Sequence, residues 1–210
     1  AGKSTRMKAN KSKLLFNIAG KPVINHIISS LKEAKAKDNL CVINKNSVEI
    51  KKILDSEKVS HIYQTVLNGT AGAVKAALKK KPVSNNKLLI LCGDIPFIKS
   101  TSIKRIINKL KTYDAVVGTV EIDSPKGYGR IIRENNKFKS IIEEKETTAL
   151  QRQIKEVNTG IIAIHEKVLR EYISQIKNNN QKKEYYLTDI IKILIDNNKK
   201  VSTFKFTDEL

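Results

Sequence analysis

The sequence predicts an α/β fold on a mostly parallel, mixed sheet. Over the first 112 residues, short apolar runs alternate with segments of helical apolar spacing, the order that threads helices between parallel strands. The strongest run, Leu88-Leu89-Ile90-Leu91-Cys92, stops at Gly93-Asp94. Past residue 112 strand-like segments follow one another and include a hairpin signal.

The elements read in order as follows. Val23, Ile24, Ile27, Ile28, Leu31 and Ala34 share one helical face behind Pro22, which the start of a helix tolerates. Residues 40–43 form a buried strand. Ile50, Ile53 and Leu54 mark a short helix, and residues 61–63 a second strand. The small residues from Asn68 to Ala73 open a helix that runs to about Lys80, where Lys79-Lys80-Lys81 complement the negative end of the dipole. After the strand at 88–92, Ile103, Ile106, Ile107 and Leu110 mark a helix and residues 115–122 a strand. Residues 130–134 and 138–144 pair around Asn135-Asn136, and 157–164 form another strand. Val168, Leu169, Tyr172, Ile173 and Ile176 give one helix, and Leu187, Ile190, Ile191 and Leu194 a second. Residues 201–206 close the sheet.

The 210 residues suit a single domain. No apolar run approaches the ~18 residues of a membrane span. Two cysteines in apolar runs, Cys41 and Cys92, read as buried reduced thiols, and no secretory leader opens the chain; both suggest a cytoplasmic protein. The net charge of +19 attracts polyanions. The charges are scattered, however, aromatics are 5% and Trp is absent, so a base-stacking surface for nucleic acid is not expected. His26, His61 and His165 show no metal-ligand spacing.

Gly2-Lys3-Ser4-Thr5 alone fits a phosphate-binding P-loop, with residues 88–94 as its acidic partner strand. A P-loop helix begins directly after its Lys-Ser/Thr, whereas Arg6 to Lys13 is polar and lacks an apolar period. Taken with Arg6-Met7-Lys8, Lys13-Leu14-Leu15 and Ala19-Gly20-Lys21-Pro22, the same glycine loop resembles the signature of the sugar-1-phosphate nucleotidyltransferases. Gln64, Gly69-Thr70, Cys92-Gly93-Asp94-Ile95-Pro96, Gly127-Tyr128-Gly129-Arg130-Ile131, Ile142-Glu143, Glu156-Val157-Asn158-Thr159-Gly160 and Glu184-Tyr185-Tyr186-Leu187-Thr188-Asp189 follow in order. Together they resemble the uridylyltransferase half of the bifunctional bacterial enzymes that make UDP-N-acetylglucosamine, a cell-envelope precursor.

The resemblance implies a three-layer, Rossmann-like nucleotide-diphospho-sugar transferase fold, with a nucleotide-binding part over about 1–112 and a sugar-binding part over about 113–210. It implies transfer of a uridylyl group from UTP to N-acetylglucosamine 1-phosphate, dependent on Mg²⁺, in line and without a covalent intermediate. Ala1, Gly2, Arg6 and Lys13 would hold the nucleotide phosphates, and Gln64, Gly69 and Thr70 the uracil and ribose. Asp94 would bind Mg²⁺. Gly129, Glu143, Asn158, Tyr186 and Thr188 would hold the sugar. Beside each assignment stands a structural alternative: a strand terminus for Asp94, core packing for Tyr186, a solvated hairpin position for Glu143, a turn for Gly129. The family also has an apolar strand ahead of its glycine loop, of which Ala1-Gly2 is the end, a Pro where Ser12 stands, and Glu-Gln where Val66-Leu67 stand. Its second metal ligand, an Asn, and its trimerising acetyltransferase β-helix would lie past Leu210. Without them the chain is expected to be a monomer. The alternative expectation is an inactive homologue that at most binds a UDP-sugar or a partner chain.

Overall fold

Ser12 opens the described part of the chain, which runs over residues 12–207 of a computed structural model. Its carbonyl accepts the Leu15 N–H at 2.9 Å and its Oγ the Leu14 N–H at 3.4 Å, capping a single 3-10 turn, Lys13–Leu15. Strands β1 (Asn17–Ile18) and β2 (Lys21–Pro22) then form a minute hairpin around Ala19 and Gly20, both at positive φ. Helix α1 (Val23–Glu33), strand β3 (Leu40–Ile43), helix α2 (Val48–Ser56), strand β4 (Ser60–Tyr63) and helix α3 (Thr70–Lys80) follow, close to their expected bounds. β3 and β4 are parallel, with Leu40 opposite Ser60 and Ile43 opposite Tyr63. Leu15, Ile24, Ile28, Ile43, Ile50 and Leu54 form the core of this unit, so the helical spacing of α1 and α2 is used as the sequence suggests.

Strand β5 (Lys87–Ile90) ends two residues short of the expected Cys92, and helix α4 spans Ser100–Asn108. The remaining elements are β6 (Ala115–Glu121), β7 (Arg130–Glu134), β8 (Lys137–Ile142), the one-turn α5 (Ala149–Arg152), β9 (Glu156–His165), α6 (Glu166–Tyr172), α7 (Asp189–Asp196) and β10 (Val201–Phe206). Asn135 and Asn136 both take left-handed φ values, 49° and 60°, as a tight two-residue hairpin turn requires.

The chain divides into two units: residues 12–82 with Cys92–Lys104, and Val83–Leu91 with residues 105–207. These limits differ from the sequence boundary near 112 because β5 pairs with β9, across Leu88↔Ile164 and Ile90↔Ile162. The larger sheet runs in the order β10-β6-β9-β7-β8, with β5 also on β9. It is mixed, as predicted, but not mostly parallel: among the described residues β6–β10 is its one parallel pair, because β9 runs against the three strands it joins and β8 against β7. β5, β6, β7 and β10 point one way, while β8 and β9 run against them. β9 is the spine, taking β6 along one edge and β5 and β7 on the other. Its Val157, Ile161, Ala163 and Ile164 are fully buried, as are Ala115–Val117 of β6 and Ile190, Ile191 and Leu194 of α7. Gly118 in β6 has no room for a side chain: a Cβ would lie 2.6 Å from Phe206 and 2.7 Å from Thr159 Oγ1.

Neither cysteine is in a disulfide, but each is only partly buried, in place of the full burial expected. Cys41 sits on the short two-stranded sheet, which covers it incompletely; the burial it does have pushes its thiol pKa up. Among the described residues no helix is long and apolar enough to cross a membrane.

Candidate active site

In the first unit the 3-10 turn is anchored by Leu15, 8% exposed in the core, which leaves Lys13 projecting. Gly93 leaves room for the turn, since a Cβ there would come within 3.2 Å of the Leu14 side chain. The outcome is a direct ion pair between Lys13 Nζ and the Asp94 carboxylate, across 81 positions of sequence, with both side chains close to half exposed. Two residues proposed for separate tasks therefore meet at one point. A cation and a carboxylate side by side can serve a phosphate chain and a hard divalent ion together.

Gln64 is buried, and its backbone N–H donates to the Ile43 carbonyl at 2.9 Å, tying the end of β4 to β3. Its Nε2 donates to Asn68 Oδ1 and to the Gly69 carbonyl, both at 3.3 Å. Gly69, at φ 106°, precedes Thr70, the first residue of α3. Gln64, Gly69 and Thr70 thus share one corner of the first unit. Asn68 belongs to that corner too, although no motif singled it out. Its signal in the sequence is its place four residues after Gln64 and directly before the glycine.

The sugar-directed residues lie in the second unit. The Asn158 N–H donates to the Gly129 carbonyl at 2.8 Å, and its side-chain Oδ1 accepts the Gly160 N–H at 3.0 Å. Gly129 is hemmed in by Ile141 and the Ile142 carbonyl, so its lack of a side chain answers a close approach as well as a turn. Glu143 follows β8, and its Oε1 accepts the Thr188 hydroxyl at 2.8 Å. Tyr186 is 9% exposed; burial first, then the carboxylates of Glu184 and Glu143, push its phenol up to about 12, so it stays a hydroxyl donor. Asp189, in the first turn of α7, is raised to about 6 by burial and by Glu143 and Glu146. Arg130 supports this region. It is 1% exposed, bonds to the carbonyls of Tyr128 and Arg152, and pairs with Glu144 at 2.8 Å. Burial alone would raise Glu144, but the Arg130 guanidinium and the Gly127 N–H outweigh it and hold the carboxyl low.

Ala1, Gly2 and Arg6 lie outside the described residues, as does the strand expected ahead of them. Among the described residues no group of three or more His, Cys, Asp or Glu side chains is placed to hold a metal. His26 bonds the Ile18 carbonyl at 2.7 Å and His165 the Leu110 carbonyl at 2.8 Å, which accounts for both structurally.

The MobA-like NTP transferase domain family matches residues 1–159. The chain is 34% identical over 195 residues to the bifunctional protein GlmU of Acinetobacter baylyi, covering 93% of this chain and 43% of that protein. Against GlmU of Francisella tularensis subsp. novicida it is 38% identical over 193 residues, covering 91% and 42%. It therefore spans less than half the length of these relatives. Two solved structures share the fold. One, from Bacillus anthracis, is described as a glucose-1-phosphate thymidylyltransferase: TM-score 0.74, 21% identity, covering 93% of this chain and 78% of that one. The other is a UDP-glucose pyrophosphorylase in complex with UDP-glucose: TM-score 0.73, 16% identity, covering 93% and 82%.

Proposed function

The chain belongs to the MobA-like NTP transferase domain family, and from that premise we propose that it transfers the uridylyl group of UTP to N-acetylglucosamine 1-phosphate, releasing pyrophosphate. The observation that carries the reading is the pairing of Lys13 with Asp94. Likeness to GlmU over 93% of the chain supports nucleotidyl transfer to a sugar phosphate, and the choice of UTP and N-acetylglucosamine 1-phosphate rests on the motifs that resemble the uridylyltransferases.

In this reaction an oxygen of the sugar phosphate attacks the α-phosphorus. The new P–O bond forms as the bond to the bridging β-phosphate oxygen breaks, and pyrophosphate leaves with that electron pair. Nothing on the protein needs to become covalently attached, so its residues position the reactants and offset charge. Lys13, with Arg6, neutralises the phosphates that become the leaving group. Gln64, Gly69 and Thr70 hold the nucleoside. Glu143 and Thr188, fixed by their mutual hydrogen bond, and Tyr186, held as a neutral phenol, present a carboxylate and hydroxyls to the sugar. Asn158, braced through Gly160, leaves its amide N–H groups for the same ligand.

The residues present fit a Mg²⁺ ion. Asp94 offers one half-exposed carboxylate, and a hard cation that keeps several waters and takes phosphate oxygens needs few protein ligands. Asp94 would hold it, and when bound it would neutralise charge developing on the phosphates.

The test is pyrophosphate release from UTP with Mg²⁺, with and without N-acetylglucosamine 1-phosphate, and with glucose 1-phosphate as competitor. Acceptor-dependent release that favours the N-acetylated sugar is expected. Equal or greater release with glucose 1-phosphate refutes the sugar assignment, and no release with any sugar phosphate refutes the activity.

A further inference from the structure

The corner around Gln64 contains a constraint that the nucleotidyl-transfer reading does not use. A side-chain amide has two N–H donors at one end and an acceptor oxygen at the other. Both donors of Gln64 are engaged, by Asn68 Oδ1 and by the Gly69 carbonyl. That leaves Oε1 as the atom the amide can offer to a ligand. Asn68 reaches this position only because residue 72, in the first turn of α3, has no side chain. A methyl group there would lie 1.8 Å from Asn68 Oδ1 and 3.1 Å from Gln64 Nε2. Glycine near the start of a helix is less favourable than alanine, so the empty space at 72 matches the amide that fills it.

We propose that Asn68 is a positioning residue that locks the Gln64 amide with its oxygen toward the nucleobase, and so decides which bases are accepted. The inference rests on the nucleotidyl-transfer reading above. An oxygen held in this orientation accepts from a ring N–H, which uracil carries at N3 and guanine at N1. Cytosine and adenine have a bare acceptor nitrogen at the matching positions, and two acceptors facing each other repel. If Asn68 is lost, the Gly69 carbonyl alone opposes turning the amide over, so the flipped form, which offers an N–H, becomes easier to reach and the penalty against cytosine falls. Specificity is a difference of two affinities, so the residue is revealed by a ratio and not by affinity alone.

The experiment is calorimetric titration of the full chain with UTP and with CTP, for the native protein, Asn68→Leu, Asn68→Asp and Gly72→Ala, with thermal unfolding to confirm that each variant is folded. The native chain should prefer UTP. Asn68→Leu and Gly72→Ala should each lower the UTP-to-CTP ratio by about tenfold, the scale of one misplaced hydrogen bond. Asn68→Asp keeps an oxygen for the Gln64 donors and should preserve the native preference. A merely structural role would weaken both nucleotides alike and leave the ratio where it was. An unchanged ratio in Asn68→Leu, or in Gly72→Ala if the leucine variant does not fold, overturns the proposal while leaving nucleotidyl transfer standing. So does a ratio lost in Asn68→Asp, since the Asn68 N–H would then be reading the base itself. A native chain that binds UTP and CTP equally also overturns it, and one that binds neither removes the transfer reading together with it.

Discussion

Lys13 and Asp94 are each close to half exposed, and ion pairs that open to water contribute only ~0–1 kcal/mol to stability. Their importance should therefore show in rate and not in folding. Asp94→Ala is expected to lower kcat/KM by about 10²–10³-fold, the range seen when one charge-stabilising group is removed, while Tm moves by little. Steady-state pyrophosphate release together with calorimetry checks both halves; a large fall in Tm with a near-native rate would reverse the assignment. Asp189 poses the opposite case. Its pKa is raised to about 6, by burial and by Glu143 and Glu146, so the folded chain holds that proton more tightly than the unfolded chain does. The associated stability is present below about pH 4 and is lost as pH rises through 6. Asp189→Asn should accordingly raise Tm at pH 8 and leave it nearly unchanged at pH 4, as thermal melts at the two pH values would show. At this scale the sequence names Lys13, Asp94, Glu143 and Thr188 through their motifs, but not the bonds that join them. Asn68 has only its place between Gln64 and Gly69 to mark it, because its part depends on the rotamer of Gln64 and on an empty volume beside Gly72, neither of which a motif encodes.

The 3-10 turn Lys13–Leu15 shows how a short element places a functional group. Its buried anchor is Leu15, in one cluster with Ile24 and Ile28, and the partly buried Leu14 packs against the same cluster. Leu15→Ala should cost about 2–4 kcal/mol in denaturant unfolding, as large-to-small core changes do, and should raise KM for the triphosphate because Lys13 loses its footing. Unfolding midpoints and initial rates on the same preparation separate the two effects. The longer elements were legible: α1, β3, α3 and β10 fall within a residue or two of their sequence bounds, since apolar period and turn residues agree there. β1 and β2 are too short to carry a period. α5 rests on a single capping box, in which Thr148 Oγ1 accepts the Gln151 N–H and the Gln151 side chain accepts the Thr148 N–H. The direction of β9 was not legible either, because a strand buried on both faces gives the same apolar run whichever way it points.

Across the whole molecule, 40 Lys and Arg stand against 21 Asp and Glu. Self-repulsion of this size opposes the folded state, and the same field draws in anions. Raising NaCl from about 20 to about 300 mM, which shortens the screening length to several ångströms, should raise Tm and weaken UTP binding at once; melting and titration in parallel would detect a change in only one. The path of the chain carries a different consequence. It enters the second unit at Val83, returns to the first at Cys92 and leaves it again after Lys104. No single cut in the gene therefore releases either unit as an unbroken polypeptide. A product ending at residue 82 lacks Asp94 and the buried Ile98 and Ile103. One starting at residue 105 lacks β5 and bares the edge of β9 from Ile162 to His165, a ready template for another chain. Recombination that swapped one half between relatives would therefore disrupt both units at once.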